Sequence, residues 1–382
     1  MAITSAVSLL SLPFPFMVES VPAPFWFVEF FKVVGFVLHL VPQGIWFAGL
    51  PILILCALYN GKHSRYFSIR LSKQLPVMMA LGINFGIVPL LFLQTTYYKS
   101  FYTATVLTAW YWIAVIPILL VGYYSLYIAA YSGSHSGING QGRRILFSIL
   151  AAVCLTCIGA LIVNGLSLMV RSDLWTDFAA KTSFHGAVLG TANNMSDPAF
   201  LMRLLTMFGL ALMTAGTWIA FDGHYLVRKN SEGVPENYRQ WSATLAVLVT
   251  LSGCAVLTYT ECAVKSSGHA ILTTAYPYFG FVVLGAYAVF LLFLLAKTVS
   301  PVFVAAAALL QFLTLAGFGI IRQIGQNNGI KPLVDVANLP AAVQWDTLIA
   351  FVVLFLLGTG VIVWMTVQCI KCSRNPAQEC SL

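Results

Sequence analysis

Residues 30–59 read FFKVVGFVLHLVPQGIWFAGLPILILCALY, with no acidic residue and with Lys32 and His39 as the basic residues. A helix of this length extends about 45 Å, whereas the hydrocarbon core of a bilayer is about 30 Å thick. The stretch therefore predicts a transmembrane helix.

Eight further stretches are long and apolar enough for the same interpretation. They lie near 75–97, 104–131, 145–170, 201–226, 241–263, 274–297, 300–324 and 347–368. Their apolar residues are continuous and do not alternate with period two, which favours helices over a β-barrel. The sequence thus predicts an all-α integral membrane protein, a bundle of about nine transmembrane helices.

Composition supports the same class. Only 8% of the 382 residues are charged and 59% are hydrophobic, against about 25% charged in an ordinary soluble domain. Soluble and disordered classes are excluded. The net charge of +8 is attributed to topology, because Lys and Arg collect in cytoplasmic loops. We expect no nucleic-acid partner.

Sorting the loops by side gives the orientation. One set, which includes the C-terminal tail, holds 12 basic and 4 acidic residues, whereas the other set is neutral. The positive-inside rule then predicts an external N-terminus and a cytoplasmic C-terminus. The expected divisions are an interfacial arm at 1–28, a transmembrane domain at 29–370 and a cytoplasmic tail at 371–382.

His39 is the leading candidate for chemistry, because ionisable groups inside a membrane are expensive and often functional. It lies on a helical column with Gly35, Gln43 and Trp46. An imidazole can ligate haem iron, and a glycine one turn away would admit a flat macrocycle. The alternative is a core histidine bonded to a carbonyl or to glutamine.

Further polar residues are expected at the same depth: Gln94, Arg203, Glu261 and Arg322. The two arginines suit haem propionates or a quinone head group, because guanidinium binds carboxylates through paired hydrogen bonds. Snorkelling of arginine to the interface is the alternative. Glu261 is a candidate proton or quinone site.

The other chemical signals are weaker. The remaining histidines fall in predicted loops or at a helix end: His63, His135, His185, His224 and His269. Two C-x-x-C pairs lack the following histidine of a c-type haem site. The sequence contains no nucleotide-binding loop or hydrolase motif, so ATP-driven and hydrolytic functions have no support.

Three segments resemble subunit I of the cytochrome bd quinol oxidases. Leu38-His39-Leu40-Val41-Pro42 is similar to the family's first helix, in which the histidine ligates haem. Leu81-Gly82-Ile83-Asn84-Phe85-Gly86 and Val163-Asn164-Gly165 resemble segments of its second and fourth helices. The resemblance covers roughly the first 170 residues and implies a haem b, a quinol or quinone substrate and a prokaryotic cytoplasmic membrane.

The departures from that family concern its chemistry. The third predicted helix carries no acid, where the family has two glutamates linked to proton delivery and haem binding. Arg203-Leu204-Leu205-Thr206 occupies the region of a second haem-ligating histidine, and the quinol-binding loop shrinks to 264–273. The resemblance therefore implies a divergent subunit that is not itself an oxygen reductase.

The sequence predicts an electron-transfer subunit of a respiratory complex. It would bind haem b through His39, with Gln43, Gln94, Arg203 and Arg322 in the cofactor site, and would react with quinol or quinone near the outer face. Electrons would pass to or from an extracytoplasmic redox partner such as a c-type cytochrome. The alternative is a cofactor-free membrane anchor that docks such cytochromes. A transporter is disfavoured because no matched breaks or inverted repeats are visible.

Overall fold

The structure, a computed structural model, describes residues 20–132, 137–227, 233–267, 278–295 and 300–374. Its helices are α1 (Phe25–Tyr59), α2 (Lys62–Thr96), α3 (Tyr98–Leu107), α4 (Ala109–Tyr131), α5 (Gly137–Met169), α6 (Trp175–Lys181), α7 (Pro198–Phe221), α8 (Tyr238–Ser267), α9 (Phe279–Leu295), α10 (Pro301–Ile330) and α11 (Trp345–Arg374). A short hairpin of β1 (Ser183–Phe184) and β2 (Ala187–Val188) follows α6.

Within those described ranges, eight helices are long and apolar enough to cross a membrane. The ninth predicted stretch forms α9, which has 17 described residues and extends about 25 Å. Part of the predicted stretch, 274–277 and 296–297, lies outside the described residues. The all-α membrane class is confirmed, and the count of nine and the orientation stay predictions.

The third predicted stretch, 104–131, is not one helix. The chain breaks at Thr108, so that α3 ends at Leu107 and α4 begins at Ala109. The loop after β2 enters the break: the Ala192 N–H donates to the Leu107 carbonyl, and the Trp110 N–H donates to the Gly190 carbonyl. The loop thus pairs two of the backbone groups that the interruption leaves without a partner in their own helix.

Helix α1 lies at the centre of the bundle and packs against α2, α5, α7 and α10. Its reversal into α2 uses Asn60, which takes a left-handed conformation with φ of 53° and ends the helix. We call the end of the bundle where α1 begins and α2 finishes the N-terminal end. Helix α7 also begins there, where Asp197 accepts the Ala199 N–H at 2.8 Å and Pro198 takes the first helical position.

The opposite end of the bundle contains a buried ion pair. Asp222, which follows α7 and is 3% exposed, accepts Arg70 Nε at 2.7 Å and Arg70 Nη2 at 2.8 Å. Gln74 Nε2 donates to the same carboxylate at 2.6 Å. This ion pair joins α2 to the end of α7.

The boundaries of the terminal segments differ slightly from the expected divisions. Residues 1–19 of the predicted arm and 375–382 of the predicted tail lie outside the described residues. Val21 bonds with the 340–342 segment, since its N–H donates to the Pro340 carbonyl and its carbonyl accepts the Ala342 N–H. Helix α1 already begins at Phe25, within the predicted arm, and α11 continues to Arg374.

Candidate functional site

His39 forms a hydrogen bond to α2 through one ring nitrogen. Its Nδ1 lies 2.6 Å from the Gly82 carbonyl oxygen. A carbonyl can only accept, so Nδ1 carries the hydrogen and the neutral ring keeps its lone pair on Nε2. No residue in the described ranges is bonded to Nε2. This is the tautomer that a ligating histidine needs, with one nitrogen oriented by a carbonyl and the other available.

A glycine of α2 contacts the imidazole of His39. A Cβ on Gly86 would lie 2.8 Å from His39 Nδ1 and 3.0 Å from Cε1. Gly35, by contrast, faces Val88, whose Cγ1 lies 2.8 Å from where a Cβ of Gly35 would be. The expectation that Gly35 admits a macrocycle is therefore wrong, because Gly35 is used for close packing of α1 on α2.

The column beyond His39 presents unsatisfied polar atoms. Gln43 Oε1 and Trp46 Nε1 are both buried without a hydrogen-bond partner in the described part of the chain. Trp46 Nε1 lies 3.3 Å from where a Cβ of Gly82 would be, so the indole faces α2 as His39 does. Buried polar groups are rarely left unpaired in proteins, and such groups indicate an absent partner.

Arg322 and Arg203 lie near the N-terminal end of the bundle and their charges interact. Arg322 of α10 stacks on Phe36 of α1, with Cζ 4.4 Å from the ring centroid, and its charge also acts on His39. Arg203 of α7 interacts with the Asp197 carboxylate. In the described ranges no carboxylate forms an ion pair with Arg322, so this deep cation is available to an anionic group.

Within the described residues, the candidates Gln94 and Glu261 form no hydrogen bond or ion pair with His39, Arg203 or Arg322. Gln94 is half-buried on α2 and has no polar partner in the described ranges. Glu261 on α8 accepts Lys265 Nζ at 2.7 Å and faces Gly280 of α9. His39, Arg322 and Arg203 therefore form the candidate site, and the cofactor role of Gln94 and the quinone role of Glu261 stay predictions.

The remaining histidines have other surroundings or fall outside the described residues. His63 Nε2 donates to the Glu236 carbonyl at the opposite end, and His185 is exposed in the β1–β2 turn with φ of 49°. His224 lies in the turn after α7 and contacts Tyr225. His135 and His269 lie outside the described residues. No second axial ligand to haem is identified among the described histidines.

Asn164, in a segment that resembles the bd family, has a structural role. It is fully buried, its Nδ2 donates to the Ala192 carbonyl at 3.1 Å, and its Oδ1 accepts the Asn194 N–H at 2.7 Å. Asn194 in turn donates to Ser167 Oγ. These bonds hold the loop that enters the break at Thr108.

A buried polar cluster at the N-terminal end escaped the sequence analysis. It comprises Glu29, Lys32, Tyr97, Gln323 and Asn327. The Glu29 carboxylate contacts Tyr97, Gln323 and Asn327. Lys32 is 1% exposed, and its Nζ has no hydrogen-bond partner in the described ranges but lies 3.8 Å from the centroid of the Tyr97 ring. Burial, and then the charge of Glu29, raise the pKa of the Tyr97 phenol, so it stays protonated.

One sequence signal could have found part of this cluster. Glu29, Lys32, Phe36 and His39 are spaced by three, four and three residues, which places them on one face of α1. Their partners on α10 are about 300 residues away in sequence, and no local pattern links them.

Comparison with known proteins supports the fold. No family model matches the sequence, and no curated protein matches it. Among solved structures, the fold is similar to that of bd oxidase from Geobacillus thermodenitrificans, with a TM-score of 0.68 at 11% identity. The similarity covers 93% of this chain and 99% of that one. The chain thus has a distantly bd-like fold over almost its whole length. This similarity concerns the fold and does not assign a function to the chain.

Proposed function

We propose that this chain is an electron-transfer subunit of a respiratory complex in a prokaryotic cytoplasmic membrane, and that it binds haem b through His39. The observation that carries the proposal is the tautomer of His39. Its Nδ1–H donates to the Gly82 carbonyl, which leaves Nε2 available. The similarity of the fold to that of a bd oxidase supports the proposal.

The residues present fit a haem with one identified axial ligand. His39 supplies a neutral imidazole nitrogen. Arg322 supplies a cation within electrostatic range of His39, and it forms no ion pair within the described residues. Arg203 adds a second cation beside Arg322. Two guanidinium groups repel each other at low dielectric, and an anion between them relieves that repulsion. Haem propionates are such anions, so His39 would bind the iron and the arginines would bind the propionates. The haem would supply one-electron transfer.

Quinol or quinone is the proposed small-molecule substrate, and an extracytoplasmic cytochrome of c type is the proposed redox partner. The positive-inside orientation would put the N-terminal end of the bundle outside. The site of His39, Arg203 and Arg322 would then lie on the side that such a partner can reach. Because the third predicted helix has no acidic residue, we propose that the chain does not itself reduce oxygen.

The test is a pyridine haemochrome spectrum of the purified full-length chain, compared with His39→Ala and the matched control His63→Ala. We expect haem b in the unmodified chain and in His63→Ala, and its loss in His39→Ala. Arg322→Gln should keep the haem but lower its midpoint potential, because a nearby cation favours the reduced iron. Haem retention in His39→Ala would refute the assignment of the ligand.

The second candidate is a cofactor-free anchor that docks extracytoplasmic cytochromes. The tight packing of Gly86 on the imidazole and of Gly35 on Val88 favours it, because His39 could serve only to join α1 to α2. A chain without haem b that still co-purifies with a cytochrome, and does so equally as His39→Ala, would establish the anchor and exclude the electron-transfer role.

A further inference from the structure

The Glu29 carboxylate has an unusually complete set of short contacts for a residue on a predicted membrane helix. Tyr97 Oη lies 2.6 Å from Glu29 Oε1 and 2.7 Å from Asn327 Oδ1. Gln323 Nε2 donates to Glu29 Oε1 at 2.8 Å, and Asn327 Nδ2 donates to Glu29 Oε2 at 2.9 Å. Tyr97 and Gln323 are 2% and 5% exposed, whereas Glu29 and Asn327 are only half-buried.

Counting hydrogens shows that this arrangement lacks one when Glu29 is ionised. The phenol of Tyr97 has a single hydrogen but two short contacts to oxygen. An ionised carboxylate and an amide carbonyl both only accept, so one of the two contacts would hold no hydrogen. A proton on Glu29 Oε1 completes the chain, because Glu29 then donates to Tyr97 and Tyr97 donates to Asn327.

Exchanging the amide atoms of Asn327 or Gln323 does not remove the requirement. With Asn327 reversed, its carbonyl oxygen would lie 2.9 Å from Glu29 Oε2, and that contact would need a carboxyl proton. With Gln323 reversed, its oxygen would lie 2.8 Å from Glu29 Oε1, which adds another pair of acceptors. Every assignment of the amides therefore leaves one contact without a hydrogen unless Glu29 carries a proton.

The charges around Glu29 act in the opposite direction. Lys32 on the same helix interacts electrostatically with Glu29 and with Arg322 of α10. A positive charge on Lys32 favours the ionised form of the Glu29 carboxylate. Tyr97, the titratable neighbour from the end of α2, is held neutral. The hydrogen-bond geometry thus favours protonated Glu29, whereas the charge of Lys32 favours the ionised form.

We propose that Glu29 is a proton-binding site at the N-terminal end of the bundle, whose exchangeable proton is connected through Tyr97 to Asn327. Resting on the proposed function, this carboxylate is the acceptor for protons released when quinol is oxidised. Each quinol O–H bond would break with its proton passing to the Glu29 carboxylate, and a haem held by His39 would supply the one-electron acceptor. The half-buried Glu29 and Asn327 return protons to the exterior.

The first experiment tests the proton itself. Infrared spectra of the full-length chain in detergent would be recorded over a range of pH for the unmodified chain, Glu29→Gln and the control Asp346→Asn, which alters an exposed acid on α11. We expect a carboxylic-acid C=O band that decreases as pH rises, that is absent in Glu29→Gln and that persists in Asp346→Asn. An unchanged band in Glu29→Gln would overturn the proposal. This readout requires neither haem nor quinol.

The second experiment tests the use of the proton. Glu29→Gln keeps the shape and supplies a permanent hydrogen to Tyr97, so the fold and haem content should be unchanged. Reduction of the haem by quinol should slow at least tenfold and lose its pH dependence. A lost infrared band with an unchanged reduction rate would overturn the role as acceptor and leave the haem assignment standing. Absence of haem would overturn the proposed function while the infrared result still decides the proton site.

Discussion

Gly86→Ala is the change whose effect follows most directly from the geometry of His39. The new methyl carbon would lie 2.8 Å from His39 Nδ1, whereas unstrained contacts of this kind are about 3.5 Å. The imidazole must therefore move by about 0.7 Å. Gly82 and Gly86 lie one turn apart on α2, so moving away from the methyl also stretches the 2.6 Å bond to the Gly82 carbonyl.

The expected magnitude combines two opposing effects. Overpacking a filled site destabilises by about 1–3 kcal/mol, while replacing glycine by alanine in a helix contributes about 0.8–1 kcal/mol of stability. We expect a net loss of up to about 2 kcal/mol in the free energy of unfolding. Haem retention should also fall, because His39 loses the bond that fixes its orientation.

The assay is thermal unfolding in detergent together with haem content, with Gly159→Ala as the control. Gly159 lies on α5, and a Cβ there would meet nothing within 4 Å, so this variant receives only the gain in helix propensity. Gly86→Ala should melt below the unmodified chain and Gly159→Ala at or above it. If both variants melt alike and Gly86→Ala keeps its full haem content, the argument from close packing at His39 is refuted.

Two further predictions concern buried polar contacts away from His39. Asp222→Asn leaves the Arg70 guanidinium partly buried without its counterion and should lower the free energy of unfolding by about 3 kcal/mol. The double variant Asp222→Asn, Arg70→Met should recover part of this loss. Equal stability of the single variant and the unmodified chain in denaturant unfolding would contradict the prediction. Asn164→Ala removes the acceptor of a buried backbone N–H and should cost about 1–3 kcal/mol, which limited proteolysis would detect as faster cleavage within 182–197. The exposed Asn193→Ala serves as its control, and identical cleavage rates in the two variants would count against the role of Asn164.

The membrane-spanning part of the fold could be predicted because it depends on local composition. An apolar run such as 347–368 has one low-energy structure in lipid, since only a helix satisfies its own backbone there. The break at Thr108 could not be predicted in this way. It depends on backbone groups of Gly190 and Ala192, about 80 residues away, and the apolar pattern around Thr108 continues without interruption.

The candidate site was predicted only in part, for a related reason. His39 and Arg322 stand out because each is ionisable within an apolar run. Gly35 also stood out, yet a glycine in a helix is compatible with any close neighbour, and the sequence could not specify that the neighbour is Val88. Glu29 did not stand out, because it is the first residue of the predicted transmembrane domain and precedes the first predicted helix by one residue, where a charge is inexpensive.

In the structure, Glu29 and His39 share one face of α1. Ten residues of helix separate them by about 15 Å. Lys32 and Phe36 lie between them on the same face. Lys32 lies over the Tyr97 ring, and the Phe36 ring lies under the Arg322 guanidinium. A proton on Glu29 would act on Lys32, whose charge interacts with both Glu29 and Arg322, and an electron at His39 would act on Arg322. Adding an electron near Arg322 reduces the local positive charge that favours ionised Glu29, so electron arrival and proton uptake should reinforce each other. A cofactor-free anchor has no need for this arrangement. In an electron-transfer subunit, by contrast, the midpoint potential of the haem should change with pH, and this dependence should be smaller in Glu29→Gln than in the unmodified chain.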